Sequence, residues 1–147
     1  MTVQPIPEGF HTVNPYLAIR GVDRLIEFLK EGFGAELASR HAMPDGRVMN
    51  AIVRIGDSMV LMGEAAEGQP TFPGMLYVYV EDTDALYERA VAAGGKSVME
   101  PADQFYGDRN AAVEDPSGNQ WWIATHVEDI SDEELVRRAG ETRGSDA

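Results

Sequence analysis

The residues of this chain that could do chemistry are few. Its 147 residues include no cysteine, which excludes disulfides, thiolate metal sites and thiol nucleophiles. A metal would therefore rest on His, Asp, Glu or Asn. The three histidines are His11, His41 and His126. A ligand set drawn from His41, Glu64 and His126 is one reading. The plainer one makes His41 a hydrogen-bonded strand histidine, His126 structural and His11 exposed. The other chemistry is aromatic: Tyr16, Met75, Tyr77, Tyr79 and Trp122 suit stacking on a planar or amphipathic molecule, cations included. Filling a core or a dimer interface would use the same side chains. Tyr106, Asp108 and Arg109 lie together in "FYGDR"; the charged pair could hold the loop by ion pairing or offer polar contacts at a cleft mouth. Metal-free catalysis, with Tyr16, His41 or Arg109 as acid, base or anion clamp, is a third class, although no nucleophile–base pairing is visible.

These residues need elements to position them. "HTVNPYLAI" (11–19) alternates as a strand, and the following segment places Val22, Leu25, Ile26, Leu29 and Phe33 at helical spacing, with Gly32 and Gly34 ending the helix. "AELASRHAM" reads as a strand, "PDGR" as a turn, "VMNAIVRI" and "SMVLM" as strands joined by a Gly56–Asp57 hairpin. After an aperiodic Gly- and Pro-bearing linker, about 64–74, the order repeats. "MLYVYVE" is a strand, "DTDALYERAVAAGG" a helix capped by Asp82 or Thr83 and stopped by Gly94, and "KSVME", "RNAAVE" and "QWWIATH" are three more strands. "PADQFYGD" and "DPSGN" separate them. "SDEELVRRA" is a short terminal helix, with Ser131 and Glu134 as a capping box.

The spacing thus predicts one domain over 1–147: two β-α-β-β-β modules, about 11–63 and 75–126, and an acidic helical tail at 127–147. Gly34 and Gly94 close equivalent helices at nearly the offset separating the Gly56–Asp57 hairpin from "DPSGN", as a duplicated module would. Strand parity puts Leu17, Ile19, Leu76, Val78, Val80, Trp121 and Ile123 on a helix-facing side. Asn14, Tyr16, Ala18, Met75, Tyr77, Tyr79, Gln120, Trp122, Ala124 and His126 share the other side. That second face mixes aromatic and hydrogen-bonding groups, as a ligand cleft or partner surface would.

The net charge of −13 argues against a nucleic-acid partner, whose binding needs Lys and Arg to release counterions. It is a solvated surface or a field attracting a cationic ligand. The chain has no long apolar run for a membrane span and no signal-peptide pattern at its start, so a cytoplasmic protein is expected.

The stretches "NPYLAIRGVDRLIEFLKEGFGAEL" and "YGDRNAAVEDPSGNQWWIATHVEDIS" resemble the vicinal oxygen chelate superfamily (glyoxalase I, fosfomycin-resistance enzymes, extradiol dioxygenases, bleomycin-resistance proteins). Within it they resemble the metal-poor, PhnB-like, glyoxalase-like branch. The resemblance implies an α+β fold of two βαβββ modules with curled mixed sheets around a shared cleft, plus the C-terminal helix. It places the family's metal-ligand positions on Asn14, Met75 and Trp122, none a good ligand for a divalent ion: Trp has no available lone pair, Met is soft and Asn is a weak neutral oxygen. The expectation is a homodimeric protein without metal or cofactor that binds a small amphipathic or aromatic molecule, a cationic one included, as bleomycin-resistance proteins do. The binding residues would be Asn14, Tyr16, His41, Met75, Tyr77, Tyr106, Arg109 and Trp122. A metal-dependent lyase, isomerase or dioxygenase is the alternative.

Overall fold

The computed structural model describes residues 2–145. The first module comprises β1 (Tyr16–Ile19), α1 (Val22–Phe33), β2 (Glu36–Ala42), β3 (Val48–Ile55) and β4 (Ser58–Glu64). The second comprises β5 (Met75–Tyr79), α2 (Thr83–Ala92), β6 (Lys96–Asp103), β7 (Asp108–Glu114) and β8 (Gln120–His126), and α3 (Asp132–Ser145) follows. Each module folds its strands into a four-stranded mixed sheet, ordered β1-β4-β3-β2 and β5-β8-β7-β6. In both, the first strand runs parallel to the last and the other pairings are antiparallel. The α+β, two-module expectation is met.

The core lies on the helix side of both sheets. Leu17, Ile19, Val53, Val60 and Met62 of the first sheet pack with Val22, Leu25, Ile26, Phe28, Leu29 and Phe33 of α1, and Val113, Trp121 and Ile123 of the second sheet join them. Each such fully buried aliphatic or aromatic side chain contributes about 1.5–3 kcal/mol. The modules meet where α1 packs on α2. Gly32 lies at that contact, where an added Cβ would stand 3.1 Å from the Ala90 Cα. It therefore does not end α1 but lets the helices approach. The stop is Gly34, in the left-handed conformation at φ 68.

Other boundaries moved for local reasons. β1 starts at Tyr16 rather than residue 11, because the Asn14 side chain closes a turn on His11: Oδ1 accepts from the His11 N–H at 3.0 Å and Nδ2 donates to its carbonyl at 2.7 Å. β6 runs on to Asp103, leaving only 104–107 of the expected loop. The terminal helix extends to Ser145, with Ser131 Oγ accepting from the Glu134 N–H at its start. No helix among the described residues is long and apolar enough to cross a membrane.

Two carboxylates fix the chain near the sheets. Glu64, at the end of β4, accepts from the Gly21 and Val22 N–H groups at 2.9 and 3.0 Å and so caps α1. Asp115, only 4% exposed, organises the "DPSGN" turn. Its Oδ1 accepts from the Ser117 and Asn119 N–H groups, and its Oδ2 from Asn119 Nδ2 and Trp121 Nε1 at 2.8 and 2.7 Å. Asn119 Oδ1 in turn accepts from the Gly74 N–H at 2.8 Å, which sets β5 beside β8. The turn reaches the first module too, through Ser117 Oγ donating to the Arg20 carbonyl at 2.8 Å.

Candidate functional site on the outer face of the second sheet

Register brings the chemistry together on the side of the second sheet away from the helices. β5 pairs with β8 so that Met75 lies beside Gln120 and Tyr77 beside Trp122, and β7 places Asp108 opposite His126, Asn110 opposite Ala124 and Ala112 opposite Trp122. Alternation then puts Met75, Tyr77, Tyr79, Trp122, Asp108, Asn110 and His126 on one face.

Asp108 is the centre of a polar network. Only 5% exposed, it accepts from the Tyr77 hydroxyl at 2.6 Å and the Tyr79 hydroxyl at 3.0 Å through Oδ2, while Oδ1 lies 3.1 Å from His126 Nδ1. His126 Nε2 lies 2.7 Å from Asp129 Oδ1, so the imidazole bridges two carboxylates. Asn110, fully buried, donates through Nδ2 to the hydroxyls of Tyr77 and Tyr106 at 3.1 and 2.7 Å, and its Oδ1 accepts from Gln104 Nε2. The Tyr77 and Tyr79 rings meet edge to face at 5.3 Å, as do Phe105 and Tyr106 at 5.2 Å.

The protonation states follow from these contacts. Burial, reinforced by the Asp108 hydrogen bond, raises the Tyr77 phenol well above the ordinary phenol range. The Asp108 bond and then burial raise Tyr79. Burial by itself would raise the Asp108 carboxyl, but the bonds from Tyr77, His126 and Tyr79 outweigh it and hold the group below its usual value. His126 is raised by Asp129 first and Asp108 second. Near neutral pH the face thus presents protonated phenols over a charged carboxylate, with the imidazole biased toward its cationic form. Such phenols are fixed hydrogen-bonding groups, poor as bases. Among the described residues the Tyr106 hydroxyl has no acceptor and the Tyr79 hydroxyl no donor, so both have capacity left for a ligand.

Of the residues expected from the sequence, Met75, Tyr77, Tyr106 and Trp122 belong to this face. Arg109 does not: next to Asp108 on β7, it points to the other side. There Nε and Nη2 grip Asp84 of α2 at 2.8 and 2.9 Å, and Nη1 reaches Asp103 at 3.2 Å. It holds α2 to the sheet on the side away from this face, so the two charges of "YGDR" serve opposite faces and do not pair with each other. Tyr16 and His41 lie in the first module. The Tyr16 hydroxyl stands over Gly63, which has no Cβ to block it, and His41 Nδ1 lies 3.0 Å from Asn50 Oδ1. Asn14 is spent on its own turn. Sequence reasoning passed over Asn110 and read His126 as structural or as one of an unusual ligand set; parity placed His126 on this face, but of its two partners only Asp129 is near in the chain, while Asp108 lies 18 positions away.

The family's metal-ligand positions can be tested against this geometry. Both polar atoms of the Asn14 side chain are engaged with His11, Met75 offers only an exposed thioether, and the Trp122 indole donates to Gln120 Oε1 at 3.2 Å. Glu64 and His41 are engaged elsewhere, and among the described residues no three His, Cys, Asp or Glu side chains are grouped to hold a metal ion. These residues do not fit a divalent cation.

Comparison with known proteins agrees with the architecture. The chain is 28% identical over 134 residues to an uncharacterised protein of Mycobacterium bovis, covering 84% of this chain and 88% of that one. A Mycobacterium tuberculosis protein, also uncharacterised, matches at the same identity over 79% of its length. Among solved structures, TioX from Micromonospora sp. ML1 aligns at 26% identity with a TM-score of 0.64, over 82% of this chain and 100% of TioX. The PhnB protein from Bacillus cereus, at 17% identity and a TM-score of 0.64 over 78% of this chain and 99% of its own, shares the fold. The profile of the Glyoxalase/Bleomycin resistance protein/Dioxygenase superfamily matches residues 10–123, and the chain belongs to that superfamily.

Proposed function

We propose that this protein binds a small amphipathic or aromatic molecule on the outer face of its second sheet, without the metal that serves other members of its superfamily. The observation that carries this reading is the pairing of two facts at one place. Where the family's ligands fall, the chain has Met75 and Trp122, and beside them stand phenols held in position by the buried Asp108 and Asn110. Rigid aromatic groups provide large contact area at low entropic cost, and the two unused hydroxyl valences give a ligand polar anchorage. Phenol faces and the nearby carboxylates favour a cationic ligand over an anionic one. We place the protein in the cytoplasm as a homodimer with no nucleic-acid or membrane partner. A second copy would cover the exposed side chains of Met75 and Tyr79, 65% and 63% accessible in the single chain.

Titration with a planar aromatic cation such as acridine orange tests the reading, with tryptophan emission as the signal. Saturable quenching is expected, lost in Trp122→Ala while Trp121 still emits from a folded core. Quenching that survives Trp122→Ala, or no saturable response to any member of a panel of planar cations and neutral aromatics, would reject it. Size-exclusion chromatography with light scattering tests the dimer separately.

A further inference from the structure

The network on the outer face has a direction, and the buried charge of Asp108 sets it. Burial opposes that charge, but the bonds the carboxylate accepts outweigh it and keep the group ionised near neutral pH. A carboxylate can only accept, and hydrogen bonds to an ionised oxygen are about twice as strong as neutral ones, so each phenol facing Asp108 turns its proton toward it. Tyr77 does so at 2.6 Å and Tyr79 at 3.0 Å, both to Oδ2.

A phenol has a single proton. Tyr77 has committed its own to Asp108, so its 3.1 Å contact with Asn110 must be the amide N–H donating. That fixes the Asn110 side chain: Oδ1 accepts from Gln104 Nε2 at 3.0 Å, and the other N–H goes to the Tyr106 oxygen at 2.7 Å. The row is therefore polarised from end to end. At one end the Tyr79 hydroxyl, its proton engaged, can only accept; at the other the Tyr106 hydroxyl still holds a proton to give. Each step of the row passes through a single atom, Asp108 Oδ2, the Tyr77 oxygen or Asn110 Nδ2, so its ends lie within the span of one small ring system and the hydrogen bonds at its edges. Both end residues are open to solvent, Tyr79 63% and Tyr106 38% exposed. A ligand seated against them displaces water from both hydroxyls, and one that cannot replace both bonds loses affinity.

We infer that the ligand is a planar aromatic molecule carrying an N–H donor and a carbonyl acceptor on one ring system, as a lactam or an acridone does, with the N–H on Tyr79 and the carbonyl on Tyr106. The inference rests on the outer-face reading given above and narrows it. A bare hydrocarbon would leave both ends of the row unpaired, and a molecule with acceptors alone would leave Tyr79 unpaired.

The probes are acridone, which has both groups, N-methylacridone, which keeps only the carbonyl, and carbazole, which keeps only the N–H. All three are planar, tricyclic and fluorescent, so the anisotropy of each, titrated with the full chain, gives its Kd. Acridone is expected to bind about threefold to tenfold more tightly than either relative, the worth of one hydrogen bond. Tyr79→Phe should erase its advantage over N-methylacridone while keeping its advantage over carbazole, and Tyr106→Phe should do the reverse. Because each variant is judged by a ratio between two ligands, a general loss of fold or affinity does not imitate this crossed pattern. Equal affinity of the three probes for the wild type would overturn the inference, as would an advantage that falls alike in both variants. Saturable binding of acridine orange with none of acridone would reject the inference and leave the outer-face reading standing; no binding of either would reject both.

Discussion

α1 buries Val22, Leu25, Ile26, Phe28, Leu29 and Phe33, whereas α2, at the same place in the second module, buries only Thr83 and Ala90. The outer faces differ in the opposite sense. The first sheet's offers the Tyr16 hydroxyl over Gly63 and one His41–Asn50 contact, while the second carries a connected network from Gln104 through Asn110, three tyrosines and Asp108 to His126 and Asp129. Two modules of one plan have thus diverged in use. The first supplies most of the apolar burial, and the second, resting on that core through Val113, Trp121 and Ile123, is free to bury polar groups on its far side. Buried polar atoms are tolerated only when satisfied, and this network satisfies Asp108 and Asn110 fully.

The largest test of this division lies in the helices. Leu29→Ala should cost about 2–5 kcal/mol through the cavity it leaves, whereas Val91→Ala on α2, 40% exposed, should stay within about 0.5 kcal/mol. Denaturant unfolding measures both, and equal losses would break the comparison.

An intermediate effect is expected at the network. Asp108→Asn removes a contribution that raises the Tyr77 phenol while burial remains, so the Tyr77 titration should move down toward, but not reach, the ordinary phenol range. Ultraviolet difference titration reads this, with Tyr77→Phe to assign the band. The same carboxyl has a linkage consequence. Because its folded pKa is depressed, the stability it contributes is present above its unfolded value, about 3.9, and is lost as pH falls through the lower folded value. Asp108→Asn should therefore flatten the acid limb of the stability curve.

The smallest effect is at His126. Its folded pKa is raised, so its contribution is complete below the unfolded value, about 6.5, and fades as pH climbs through the higher folded value. Wild-type stability relative to His126→Gln should thus decline across that window. With the imidazole half exposed, the slope will be shallow and salt-sensitive. A rise instead of a decline would mean that the imidazole sits neutral between its two carboxylates.

Much of this was legible in the residues. The apolar period from Val22 to Phe33, the "VMNAIVRI" strand matching Val48–Ile55 and the Asp82 cap, which accepts from the Ala85 N–H, are local patterns, and local patterns are what sequence spacing encodes. Where local chemistry had two uses, reading it failed. Asn14 in "VNPY" can extend a strand or close a turn on His11, and Gly32 can stop a helix or admit another helix; tertiary contact decides each. The site was harder because its bonds are long-range. Tyr77 to Asp108 and Tyr77 to Asn110 span 31 and 33 positions. Strand parity could place these groups on a face, but only the β7–β8 register shows that Asp108 meets His126 while its neighbour Arg109 turns to Asp84.

The measurement that bears most directly on the central claim is elemental analysis of untagged protein, as purified and after dialysis against Ni, Zn, Mn and Fe. An outer face in which Met75 and Trp122 stand at metal-ligand positions predicts clearly substoichiometric metal under every condition. One tightly held equivalent, resistant to dialysis against buffer and removed by a chelator, would contradict the account and return the second module to metal-dependent chemistry.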